Sequence, residues 1–149
     1  MENKEKTEEL LCEVYRNLKM ASESLCTVTP KINDKFMLRE VTGQLEKYAE
    51  LTGRCERIMR DGGITPKEPS PVKKVMAKGG ILVNMVADSG EAHVAQMIVD
   101  GTSMGADQLE KTMHECRREG CSAEAVSFCR DVIAFERRAA GEMTDYTVS

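Results

Sequence analysis

Glu136 is the acid whose position asks for chemistry. It falls in the stripe Val126, Cys129, Ile133, Glu136, Ala140 and Met143, whose three- and four-residue steps put all six on one helical face. A carboxylate turned toward a core is costly unless it is paired or hydrogen-bonded. Two phenols, Tyr15 and Tyr48, lie on the apolar stripes of two earlier segments and could reach it at a similar height, making Glu136, Tyr15 and Tyr48 a buried polar network. Exposure of Glu136 near a bundle end would satisfy it equally, and Arg54 or Lys47 could shield it.

More demanding chemistry needs more ligands. A di-metal centre in a helical bundle takes carboxylates from all four helices and two Glu-x-x-His pairs, because each His must project from the same face as its Glu. Neither pair is present: His93 follows Glu91 by two residues, and His114 follows Glu110 by four, which suits a surface pair. The two histidines are about 21 residues apart on one predicted helix, roughly 30 Å, so they share no nucleophile-base-acid set. His114, Cys116, Cys121 and Cys129 supply zinc-type ligands, but not in the two close pairs that structural zinc sites use. The expectation is therefore no catalytic residue, no metal ligand and no cofactor, in a protein that is not an enzyme. A metal-binding oxidase or storage protein with an unusual ligand set is the competing class, and a ligand cavity lined by Met side chains, Tyr48 and Glu136 is a third.

Residues Met1 to Glu9 are charged and carry no apolar leader, and no window approaches the roughly 18 apolar residues of a membrane span. This places the chain in the cytoplasm, where thiols stay reduced. The six cysteines then read as small packed hydrophobes, with Cys121, in a turn, as the exposed thiol.

Gly101 and Gly105 share a helical face, and each costs helix stability unless another backbone approaches it. No strand precedes them and no Gly-Lys-Ser/Thr follows, so they form no phosphate loop. The run Ile81 to Val86 is more apolar than one face can bury, which marks Ile81 and Met85, with Gly101 and Gly105, as close-packing or interface positions. Self-association as a homodimer is the simplest use of such a patch, with a different protein partner as the other. The formal charge of −4 gives no basic face for nucleic acid, and the Lys73, Lys74 and Lys78 side makes only a weak case for a membrane surface.

These residues need helices to position them. With 149 residues, 4% aromatics, no Trp and 10 Met, the chain suits one helical domain with a core over about residues 8–143. The periodicity predicts a helix from Thr7 to about Thr27 with Leu11, Val14, Tyr15, Leu18, Ala21 and Leu25 inside. A second, capped by Asn33-Asp34 and ended by Gly62-Gly63, carries Val41, Leu45, Tyr48, Thr52, Cys55 and Met59. Three prolines interrupt residues 66–71, after which a short helix could begin at Ser70-Pro71. Asp88 and Glu91 have capping-box spacing for a long helix with Ala95, Ile98, Thr102, Gly105, Leu109, Thr112 and Cys116 inside, which Gly120 stops before Ser122 caps the last.

Short connections make helices one and two, and three and four, antiparallel hairpins, and the long middle connection can cross the length of a bundle. The run Ala95-Gln96-Met97-Ile98-Val99-Asp100-Gly101-Thr102-Ser103-Met104-Gly105, with Gln44, Tyr48 and Gly62-Gly63, resembles a family of uncharacterised bacterial proteins in the ferritin-like superfamily. The likeness spans about residues 8–143 and implies an all-α, ferritin-like four-helix bundle whose crossover contains a short helix. It implies no activity. Such proteins tend to carry paired glutamates in the fourth helix, where this chain has Phe135-Glu136.

Overall fold

The computed structural model describes residues 2–66 and 90–148. They form an all-α bundle of four long helices: α1 (Lys4–Val28), α2 (Lys35–Asp61), α3 (Glu91–Arg118) and α4 (Ala123–Met143), with 3-10 turns at Thr29–Lys31 and Thr144–Tyr146. The short helix expected after Ser70, and Ile81 and Met85 with it, lie outside the described residues.

Local chemistry sets most boundaries. Helix α1 starts three residues earlier than its apolar stripe suggests, because the Asn3 side chain accepts the Lys6 N–H at 3.2 Å. The Lys- and Glu-rich run that follows is itself a good helix former. Asp34 caps α2 by accepting from the N–H groups of Phe36 and Met37. Gly63, with φ 73°, lets the chain leave α2 in the left-handed conformation. The start of α3 differs from expectation: its N-cap is Gly90, with no side-chain cap bond, and Asp88 lies outside the described residues. Glu91 reaches instead across the bundle end, where one carboxylate oxygen accepts the N–H groups of Asn33 and Asp34.

That contact orients the fold. Helix α3 begins beside the α1–α2 turn, whereas the α3–α4 turn lies at the opposite end, where Asn3 N–H donates to the Gly120 carbonyl at 2.8 Å. Helices α2 and α3 therefore run parallel, and α2 ends at the far end of the bundle from where α3 starts. Helix α1 packs on α2 and α3, and α4 packs on the same two, which leaves α2 and α3 on a diagonal. This is the arrangement two antiparallel hairpins adopt when joined by one long connection.

The core runs the length of this square, with Leu10, Leu11, Val14 and Leu18 from α1 meeting Met37, Val41, Leu51 and Met59, then Val94, Leu109 and Met113, then Phe128, Val132 and Met143. Burying one such side chain contributes about 1.5–3 kcal/mol. The inner face of α2 is turned slightly from the predicted stripe: Gln44 and Leu51 are buried, while Leu45 and Thr52 are half-buried. Helix α3 differs similarly, with Ala106 and Met113 buried where Gly105 and Thr112 were expected.

Candidate functional site

Among the described residues, a polar layer interrupts the bundle's interior around Glu136. Glu136 of α4 is 1% exposed and is the one buried acid among the described residues. Its Oε2 accepts the Tyr48 hydroxyl of α2 at 2.9 Å. The Asn17 side chain of α1 lies beside this carboxylate and the buried Thr102 of α3 beside the phenol, so every helix brings a polar group to the layer. The Tyr48 ring is held edge-on to Phe135 with centroids 4.9 Å apart.

Gly105 explains how Asn17 fits. A Cβ at Gly105 would lie 2.8 Å from Asn17 Nδ2 and 3.8 Å from Glu136 Oε2, so the missing side chain makes room for the amide. One turn along α2, Gln44 Nε2 donates to the Ala139 carbonyl at 3.3 Å. Three oxygens of this region, Asn17 Oδ1, Gln44 Oε1 and Glu136 Oε1, are buried with no protein donor. A buried acceptor without a donor is costly, and the cost falls most heavily on an ionised carboxylate.

Glu136 responds as expected for such a place. Burial pushes its pKa up to about 7, against the opposing pull of the Tyr48 and Asn17 hydrogen bonds and the more distant Arg137 charge. Tyr48 is pushed far above its ordinary value, first by burial and then by the adjacent carboxylate. Neither cation suggested by the sequence shields the acid. Arg54 pairs with Asp131 at 3.2 Å and lies over the Phe128 ring, and Lys47 pairs with Glu50 at 3.3 Å. Arg137 itself turns outward to Asp107 and Glu110.

Of the named network members, Tyr48 and Glu136 are in direct contact, and Tyr15 is a buried phenol with the Lys19 ammonium 5.9 Å from its ring centroid. Thr102 falls on the inner stripe predicted for its helix, but neither it nor Asn17 was assigned to this network from the sequence. Their signal is a small polar side chain on or beside an apolar stripe, which reads equally well as a helix edge.

The other candidates separate. His114 is exposed and 4.0 Å from Glu110, while Cys129 is buried in the core. Cys116 and Cys121, expected as separate thiols, are joined as a disulfide across the α3–α4 turn. The buried thiols Cys55 and Cys129 are pushed up to about 12, chiefly by burial, and are therefore protonated and unreactive. Gly101 and Gly105 also part company: Gly105 packs on Asn17, whereas a Cβ at Gly101 would meet nothing. Gly101 is exposed on the outer side of α3 with Met104, which is 66% exposed. An open groove between Lys35 and Glu46 runs along the outer face of α2, away from Tyr48 and Glu136.

A ferritin-like di-metal centre does not fit this layer. Asn17, Tyr48 and Thr102 stand with a single acid where two ions would need several carboxylates and imidazoles. Among the described residues no three His, Cys, Asp or Glu side chains are grouped to hold a metal ion, and no helix is long and apolar enough to cross a membrane. No family model, curated protein or solved structure matches the chain.

Proposed function

We propose that this chain is a cytoplasmic, ferritin-like helical bundle that carries no di-metal centre, is not an enzyme, and acts by protein association, first of all with a second copy of itself. The observation that carries the reading is the outer face of α3, where Met104 stands exposed beside a glycine whose Cβ direction opens onto free space. An exposed apolar side chain next to a helical glycine lets another helix approach closely. The polar layer serves the same reading from inside: Tyr48, Glu136, Asn17 and Thr102 meet across all four helices and specify how they pack, as buried polar groups do in some helical assemblies.

Light scattering coupled to gel filtration tests this. The wild-type chain is expected as a dimer, and Gly101→Arg and Met104→Glu as monomers with unchanged helical circular dichroism, since both positions face outward. A wild-type chain that stays monomeric as its concentration is raised overturns self-association.

A second reading rests on the three buried oxygens without donors, which would suit a hard cation held by Glu136, Asn17 and Gln44. It is the metal-binding class with an unusual ligand set. Elemental analysis of protein purified without chelators separates the two: stoichiometric iron, manganese or zinc establishes the second reading and removes the first.

A further inference from the structure

The turn between α3 and α4 closes with a specific backbone cap. Cys121 N–H donates to the Cys116 carbonyl at 3.2 Å and Gly120 N–H to the Arg117 carbonyl at 3.3 Å, with Gly120 at φ 84°. With Glu119 as the C-cap, this is the Schellman pattern, whose hallmark is a side-chain contact between the third residue from the helix end and the second beyond the cap. Here those two residues are Cys116 and Cys121. Their Cα atoms are 5.4 Å apart, within the span a disulfide needs. The backbone hydrogen bonds that set this spacing do not depend on whether the sulfurs are bonded.

Both states of the pair are accommodated. The Cys116 sulfur is buried and 3.1 Å from the Lys6 carbonyl of α1, so a reduced Cys116 thiol has an acceptor ready. Cys121 is only half-buried, which makes it the more approachable member of the pair for an exchanging thiol. The turn around them is tied to the start of α1 by other bonds, from Asn3 N–H to Gly120, from the Asn3 amide to Glu119 and from Ser122 N–H to the Thr7 hydroxyl. Opening the bridge leaves those bonds standing.

We propose that Cys116 and Cys121 form a reversible thiol–disulfide site, preset by the helix cap, that exchanges with small-molecule monothiols of the glutathione type. A monothiolate attacks the Cys121 sulfur, the bond to Cys116 breaks, and Cys116 leaves as a thiolate that takes a proton and donates to the Lys6 carbonyl. A second monothiol then attacks its partner's sulfur in the mixed disulfide and releases Cys121. Two small thiols become one small disulfide as the protein disulfide becomes two thiols, so electrons and protons balance.

The test equilibrates the full chain in reduced and oxidised glutathione at varied ratio, quenches by alkylation, and maps modified cysteines by mass spectrometry after denaturation. With the alkylation carried out in denaturant, Cys116 and Cys121 are expected to lose alkylation together in one two-electron transition, with the buried Cys55 and Cys129 alkylated throughout, the exposed Cys26 converted at most to a glutathione mixed disulfide, and helical content equal in both forms. C116S is expected to leave Cys121 as a glutathione mixed disulfide, whereas C121S leaves the buried Cys116 unmodified. G120A, which strains the left-handed position, is expected to lower the closure equilibrium about fivefold. Two free thiols at the most oxidising ratio, a mixed disulfide at Cys121 of the wild-type chain that does not close, or closure unaffected by G120A would each overturn the proposal.

Discussion

Tyr48 and Glu136 meet in the middle of the bundle, phenol donating to carboxylate across 2.9 Å, with each residue only 1% exposed. The bond satisfies one carboxylate oxygen and leaves Oε1 without a protein donor. An ionised Glu136 is therefore incompletely compensated, which is why its pKa rises to about 7.

The pH dependence of stability follows. A glutamate raised from 4.5 to about 7 by folding binds more protons in the native state than in the unfolded one across that interval. Glu136 thus costs nothing below the lower value, and its penalty grows as pH rises through the interval, levelling off above it. The full penalty is on the order of 3 kcal/mol. Urea denaturation from pH 4.5 to 8 should show this loss. Glu136→Gln should flatten the profile and be the more stable protein at pH 8; a wild-type profile without that decline refutes the assignment.

Tyr48→Phe removes the donor and leaves the carboxylate worse off when ionised. The expected loss is about 1–3 kcal/mol at pH 8 and smaller at pH 5, where the acid is neutral. Equal losses at the two pH values would mean that only packing had changed.

Gly101→Ala and Gly105→Ala should diverge although both replace a helical glycine. The first meets open space and should stabilise the monomer by about 0.5–1 kcal/mol through helix propensity. The second displaces the Asn17 amide, so the propensity gain should be cancelled and the Glu136 transition should move to higher pH. Chemical denaturation over a pH series reads both effects.

Glu91→Ala removes an acceptor shared by the Asn33 and Asp34 N–H groups at a solvent-exposed bundle end. The expected cost is about 1 kcal/mol, a drop of roughly 3 °C in a thermal melt. Faster hydrogen exchange at Asn33 and Asp34 than in the wild type would locate the effect.

The last stripe, Val126 to Met143, was legible residue by residue because a helix face follows from spacing alone, whereas spacing left open whether Glu136 is buried or reaches water at a bundle end. The caps at Asp34 and Ser122 were legible for a similar reason: a short polar side chain before an apolar run has one good use. Asn17 was not, since the room for its amide is the missing side chain at Gly105, 88 positions away in the chain, and no local pattern reports that. The Cys116 and Cys121 contact was missed although its signal is local. Two cysteines five positions apart with Gly120 just before the second spell the helix cap that brings the sulfurs together, but cysteines beside helical stripes read equally well as small packed hydrophobes. At the start of α3, Glu91 serves the backbone of another element instead of its own helix, a use that its spacing from Asp88 does not report.

The link between Asn3 and Gly120 has a consequence for biosynthesis. The opening residues of α1 find their closing partners only after the chain has been made past Ser122, so a nascent polypeptide emerging from the ribosome carries its amino-terminal hairpin with an unfinished end. Completion of that end waits on the last helix, and a chain stalled before Gly120 should remain open to proteases at its first turn.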